Sequence, residues 1–288
     1  MNKIGFLPNI KKESSLSTTL DLMKYASSLG CEIFAPKEMR LLFANVPGIN
    51  FCEDIYSNSD FAIVLGGDGT MLSAANRAVY TGTPLLGINL GNIGYLTDVD
   101  KDLAKDAIRR VLNSEYTIES RIMLEAAIGD SAPRLALNDI TIYRGLSSRL
   151  IQCVVYINKE YMETFRADGM IIATPTGSTA YNLAAGGPIL KPDAKMMVIT
   201  PICPFTLSSR STVISATDTI SIHYDKNPTT IISFDGEGII LNEKTDCIHE
   251  KFNISVSVSQ YITKIIKTNN HSFYEILRKK IGNPLNTR

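Results

Sequence analysis

Apolar positions in the first third of the chain alternate between two periods. "KIGFLP" (residues 3 to 8) reads as a strand. After it Leu16, Leu20, Met23 and Leu29 recur near helical spacing, which predicts an amphipathic helix over Ser17–Leu29 ending at Gly30. "CEIFA" (31 to 35), "FAIVL" (61 to 65) and "PLLGIN" (84 to 89) read as further strands. "TMLSAANRAVY" (70 to 80) and residues 100 to 112 carry helical spacing. Strands alternating with helices predict a parallel sheet with helices on both faces.

Beyond about residue 115 the pattern changes. "RIMLEAAIG", "RLALNDITIYR", "RLIQCVVYIN", "TISIHYD", "TTIISFDGE" and "NISVSVS" follow one another with short turns, rich in Val, Ile, Thr and Tyr. This predicts an all-β region of antiparallel layers. One segment interrupts it: "TPTGSTAYNLAAGGP" (174 to 188) holds a short helical run bracketed by glycine and proline. "SFYEILRKKIG" near the end is amphipathic and helix-like. The expected organisation is an α/β domain over residues 1–115, a β-rich domain over 116–262, and a helical tail over 263–288 packing back on the first domain. No internal repeat or low-complexity linker is present.

Composition narrows the class. Of 288 residues, 44% are apolar and 20% charged, which fits a globular protein and excludes a disordered or fibrous chain. The 29 basic residues are matched by 29 acidic ones, which argues against a general nucleic-acid binder while leaving room for a local basic patch. "MNKIGFLPNIKKES" has no apolar core of signal-peptide length before Lys11 and Lys12. The longest apolar stretches, such as "MMVITPICPF", are too short to span a bilayer, so no membrane association is expected. Cys31, Cys52, Cys153, Cys203 and Cys247 are odd in number, widely spaced and without a CxxC pair, which predicts free thiols in a reducing cytoplasm. His223, His249 and His271 show no metal-ligand spacing.

Four stretches carry candidate chemistry. In "FAIVLGGDGTML" a strand runs into Gly66, Gly67 and Gly69 with Asp68 among them. Open α/β sheets place ligands past the carboxyl ends of their parallel strands. Glycines there permit unusual backbone angles and close approach, and the amides of the bend and of the following helix attract phosphate oxygens. A carboxylate beside phosphate suits a Mg²⁺ ligand or a general base. The alternatives are an Asp-Gly hairpin turn, which the helical spacing after Thr70 opposes, and a tight βα loop with Asp68 as a helix cap. Neither G-x-x-x-x-G-K-[ST] nor G-x-G-x-x-G occurs, so a P-loop and a conventional Rossmann fingerprint are both absent. "GINLGNIGYLTDV" (87 to 99) is a glycine-rich loop expected beside the first bend, or an ordinary connection. "LND" puts Asn138 and Asp139 between two strands, where an amide reads a base edge and a carboxylate accepts from a ribose hydroxyl; alone, an Asn-Asp turn explains them as well. "RADGMIIATPTGSTAYNLAAGGP" gathers Arg166, Asp168, Thr176, Ser178, Thr179 and Tyr181, more than capping explains.

In this order, across residues 61 to 188, the four stretches resemble the NAD kinase family in its prokaryotic single-chain form. "GGDGT" alone is shared with diacylglycerol, sphingosine and phosphofructokinases; "TPTGSTAYNLAAGGP" is far more specific. The resemblance implies transfer of a terminal phosphoryl group from ATP, or polyphosphate, to the 2′-hydroxyl of the adenosine ribose of NAD, giving NADP. It implies that Asp68 is the base and an NAD contact, and that Gly66, Gly67, Gly69 and Thr70 hold donor phosphates, Gly69 touching NAD as well. It implies that Asn138 and Asp139 recognise adenine and ribose. The family usually has Glu where this chain has the shorter Asp139. Arg166, Asp168, Thr176, Thr179, Ala180 and Tyr181 match positions lining the NAD site, and Asp235 of "FDGE" matches a late acidic contact. Mg²⁺ or another divalent cation is implied, with no protein side chain assigned as its ligand. So is a homodimer or homotetramer with sites near the subunit interface. A diacylglycerol-type lipid kinase and a non-catalytic dinucleotide sensor are the competing readings, and a nucleic-acid binder is the weakest.

Overall fold

The computed structural model describes the chain apart from residues 1, 12, 44–45, 92–93, 98, 130, 225–229, 241–251, 269–271 and 283–288. Cys247, His249 and His271 lie outside the described residues. Two compact units form: Met1–Ser120 with Thr263–Arg288, and Arg121–Ile262.

The first unit is built on parallel strands. β1 (Lys3–Pro8), β2 (Glu32–Pro36), β3 (Ile49–Cys52), β4 (Phe61–Gly66) and β5 (Leu85–Asn89) lie in the order β5-β4-β1-β2-β3, with the two-residue β6 (Val99–Asp100) beside β5. Ile4 sits opposite Phe61, and Ala62 opposite Leu85. All six residues of β4 are buried, as expected of a parallel strand covered on both faces, and this explains its unbroken apolar run. Three helices accompany the sheet: α1 (Glu13–Ser28), α2 (Asp68–Ala78) and α3 (Ala104–Leu112), the last entered through a 3₁₀ turn at Lys101–Leu103. α1 presses Leu22, Met23 and Ala26 into a core shared with Ile4, Phe6, Ile63 and Leu65. It begins at Glu13, before the expected Ser17, because its first turn is polar: the Ser15 hydroxyl donates to the Leu65 carbonyl (3.3 Å) and carries no apolar signal. Gly30, at φ +81°, ends it in the left-handed conformation, its amide donating to Ser27.

The second unit is antiparallel. β7 (Thr117–Ile128), β8 (Arg134–Ala136), β9 (Asp139–Tyr143), β10 (Ile151–Ile157), β11 (Glu160–Ala167), β12 (Gly169–Ala173), α4 (Tyr181–Ala184), β13 (Met196–Ile202), β14 (Thr212–Ser215), β15 (Ile220–Tyr224), β16 (Ile231–Phe234), β17 (Glu237–Ile240) and β18 (Phe252–Lys267) follow in the chain. One sheet runs β14-β13-β12-β9-β16-β17, and a second layer contains β11-β10-β15-β18. Ile140, Ile142, Met170, Ile172, Ile199 and Ile232 of the first pack with Val155, Phe165, Ile220, Ile222, Ile254 and Val256 of the second. Alternation along β9 then turns Asp139, Thr141 and Tyr143 to the opposite face. β18 ends in the first unit, where Ile265 pairs with Leu85, and the last helix, α5 (Phe273–Ile281), follows it.

Candidate functional site

Candidate chemistry gathers at one place in each unit. In the first, only Gly67 separates β4 from α2, so Asp68 and Gly69 are the first two residues of the helix rather than part of a preceding bend. A hairpin turn is thereby excluded. So is a capping role: Gly67 is the N-cap, and no side chain caps the helix. Gly66, Gly67 and Gly69 are not among the glycines with positive φ, which corrects the expectation that unusual backbone angles require them. Space explains Gly66, where a Cβ would lie 2.4 Å from Thr70 Oγ1; the positions of Gly67 and Gly69 open onto free space. The Thr70 hydroxyl accepts from Asn9 Nδ2 (3.4 Å), a neighbour with no signal in the sequence.

The Asp68 carboxylate is enclosed by the loop after β5. Its Oδ1 accepts from the amides of Leu96 (3.0 Å) and Thr97 (3.2 Å) and from the Thr97 hydroxyl (3.2 Å); its Oδ2 accepts from the Tyr95 amide (2.9 Å). The Gly94 amide donates to the Thr97 carbonyl, which closes the turn. A Cβ on Gly94 would stand 2.0 Å from Asp68 Oδ1, so only glycine lets this backbone approach so near. Residues 94 to 97 of the glycine-rich stretch therefore act as a cradle of amides for the acid.

In the second unit, three motifs far apart in sequence converge. Asp235 and Gly236 form the two-residue connection between β16 and β17, both at positive φ (51° and 87°), the geometry of a type I′ hairpin. The Asp235 carboxylate accepts from the amides of Leu137 (2.8 Å), Asn138 (2.7 Å) and Asp139 (3.2 Å). The Asn138 carbonyl accepts the Thr174 amide (2.9 Å), and Gly177 packs so close that a Cβ would lie 2.0 Å from that oxygen. The segment 174 to 190 is tied together by Asn182, fully buried. Its Oδ1 accepts from the Thr200 hydroxyl (2.6 Å), and its Nδ2 donates to the carbonyls of Ser178 (3.2 Å) and Pro188 (3.0 Å).

A cavity of about 440 Å³ opens where these meet, lined by Asn138, Asp139, Ala180, Tyr181 and Asp235 among the expected residues. Thr141, Tyr143, Ser233 and Gly236 also line it, and sequence reasoning did not single them out; the alternation along β9 was the available signal. Among the described residues its walls carry carboxyls, hydroxyls and an amide and no cationic side chain, a lining suited to sugar hydroxyls and base edges rather than to phosphate. Burial first, then the negative Asp235, pushes the Asp139 carboxyl up to about 7. Burial also raises the Tyr181 phenol, with Cys203 and Asp139 adding to the effect.

The remaining expected residues stand as follows. Asp168 forms an ion pair with Arg144 (Nε to Oδ1, 2.7 Å), an arginine not singled out before. Arg166 is exposed, its guanidinium 5.7 Å from the Phe205 ring centroid. Thr176 is buried, its hydroxyl accepting from Arg121 Nη1 (3.2 Å), and the Thr179 hydroxyl donates to the Thr176 carbonyl (3.1 Å). Among the described residues no three His, Cys, Asp or Glu side chains cluster as a metal site. No helix of the described residues is long and apolar enough to cross a membrane.

The fold has close likenesses among solved structures. A yeast NADH kinase complexed with NADH superposes with a TM-score of 0.87 at 24% identity, over 100% of this chain and 89% of that one. An NAD kinase from Archaeoglobus fulgidus in complex with ATP gives 0.72 at 21%, over 98% of each. These likenesses define the class by its fold, one α/β unit and one β-rich unit.

Sequence relationships are narrower. Residues 4–116 match the ATP-NAD kinase N-terminal domain and residues 137–268 the ATP-NAD kinase C-terminal domain. The NAD kinase of Caldanaerobacter subterraneus subsp. tengcongensis is 38% identical over 286 residues, covering 98% of this chain and 99% of the relative. That of Nitrosomonas europaea is 41% identical over 240 residues, covering 80% and 77%. The chain belongs to the NAD kinase family, and it is a kinase. The lipid-kinase and sensor readings fall away.

Proposed function

We propose that the chain transfers the terminal phosphoryl group of ATP to the 2′-hydroxyl of the adenosine ribose of NAD, making NADP, with Asp68 as general base. The carrying observation is the fixed carboxylate at the end of β4. Among the described residues Asp68 Oδ1 takes three donors and Oδ2 one, the Tyr95 amide, so Oδ2 is the oxygen with room for an incoming hydroxyl proton. Phosphoryl transfer asks the protein mainly for position and charge stabilisation. The amides at the start of α2, with Gly66, Gly67, Gly69 and Thr70, suit the donor phosphates, and the open space at Gly67 and Gly69 lets an oxygen reach the backbone.

Asn138 and Asp139 recognise the adenosine, supported by their place in the cavity. Ala180 and Tyr181 edge the same cavity, with Thr176 and Thr179 shaping the turn before them. Arg166 and Asp168 lie on and just after β11, respectively, and reach the rest of the dinucleotide. Asp235 serves NAD through the backbone it holds at residues 137 to 139. Mg²⁺, or another divalent cation, enters with ATP, carried mainly by phosphate oxygens and water. When bound, that ion neutralises charge on the phosphates. The thiols of Cys31, Cys52 and Cys203, none of them in a disulfide, support a cytoplasmic setting. Exposed Met196, Val213, Phe205 and Leu207 near β13 and β14 support a homodimer or homotetramer.

Asp68→Asn keeps the size of the side chain and removes its basicity. NADP formation should fall by about two orders of magnitude or more, while calorimetry still shows NAD binding. Near-normal turnover in the pure variant removes Asp68 from the role of base.

A further inference from the structure

The loop that cradles Asp68 is gripped from its other side by the last helix. α5 is a well-formed element: the Ser272 hydroxyl accepts the Glu275 amide (3.1 Å) at its start, and Ile276 is buried. Tyr95, whose amide holds Asp68 Oδ2, meets two α5 side chains. Its ring lies 6.3 Å from the Phe273 ring, tilted 41°, and Lys280 Nζ stands 5.7 Å from its centroid. Phe273 and Lys280 are seven positions apart, hence two turns along one helix face. The Tyr95 hydroxyl is buried with no hydrogen-bond partner among the described residues, so ring packing rather than the hydroxyl keeps this side chain in place.

We propose that Tyr95 is a positioning residue through which α5 holds the amide cradle on the Asp68 carboxylate. The inference rests on the reading of Asp68 as base. A Tyr95 ring free to swing carries its own amide off Oδ2 and loosens the adjoining Leu96 and Thr97 amides on Oδ1. The carboxylate then rotates away from the in-line geometry that transfer requires, where small displacements cost rate steeply. Tyr95 acts in this scheme through its amide on the Asp68 carboxylate, so the loss falls on kcat rather than on KM for NAD.

The test uses the full chain in three forms: Tyr95→Ala, Tyr95→Phe, and Phe273→Ala with Lys280→Met together. Amide hydrogen exchange of residues 94 to 97 reads the grip, and steady-state kinetics read its consequence. Removing one exposed cation–π contact and one ring contact should speed exchange there by roughly two- to fivefold or more. The kcat of Tyr95→Ala and of the double variant should fall by a similar factor, with KM for NAD within about twofold. Tyr95→Phe should recover both readouts lost in Tyr95→Ala. Unchanged exchange at residues 94 to 97 in the double variant overturns the inference, and so does a kcat loss that Tyr95→Phe fails to recover. Faster exchange with unaltered kcat overturns the positioning role, whereas normal turnover in Asp68→Asn overturns the base on which it rests.

Discussion

Replacing Asp139 with Asn tests whether the fold holds this carboxyl neutral. Asp139 is 6% exposed, and burial together with Asp235 moves its protonation from the ordinary 3.8 to about 7. Below both values the folded and unfolded chains carry the proton equally. Between them the unfolded chain has released it and the folded chain retains it, so unfolding free energy falls as pH rises. Above about 7 both states are ionised and the loss is complete. A shift of roughly three units corresponds to about 4 kcal/mol, of which about 3 kcal/mol falls between about pH 5 and about pH 8. Asn does not titrate, so Asp139→Asn escapes that slope. Urea unfolding of both proteins at the two pH values gives the difference in stability, in which contributions common to both cancel. The variant should gain about 3 kcal/mol relative to the parent on going to the higher pH. A difference that stays constant within about 0.5 kcal/mol means that Asp139 is ionised in the fold as it is in water, and the burial argument fails.

Two further substitutions probe the cradles. Asp235→Asn tolerates the positive φ of the hairpin but offers one acceptor oxygen where the carboxylate offers two; one amide among residues 137 to 139 then faces an NH₂ group, at a cost of about 1–3 kcal/mol. Its melting temperature should drop and KM for NAD should rise by about tenfold, and an unchanged pair of values refutes the clamp. Gly94→Ala places a methyl group where Asp68 Oδ1 now lies and should lower kcat by roughly ten- to a hundredfold with NAD binding kept; normal turnover there shows that the carboxylate position is immaterial.

What the chain discloses in advance depends on how local the physics is. β1, β4 and β5 announce themselves because parallel strands buried on both faces need unbroken apolar runs. β3 escapes notice: "INFC" is short, only partly buried and set among polar residues. The first turn of α1 escapes for a related reason, since Ser14 and Ser15 bear no apolar stripe. Asp68 was legible because a strand, three glycines and a helix adjoin it, yet its partners Tyr95, Leu96 and Thr97 sit 27 to 29 positions away, and no spacing rule connects them. The Asn-Asp pair at 138 and 139 looks like a turn on local grounds. It becomes the head of a strand only through Asp235, nearly a hundred residues later. Thr141, Tyr143 and Ser233 became candidates only once the face of β9 turned away from the core was known.

The buried side chain of Asn182 has a thermodynamic corollary. With one amide group bonded to Thr200, Ser178 and Pro188, the irregular stretch after β12 is tied down by partners within the chain itself. The entropy of ordering that stretch is spent during folding, so association need not fund it. Capture of the dinucleotide by this stretch should therefore be a rigid docking event, with a heat-capacity change no larger than the apolar area covered and no extra contribution from coupled ordering.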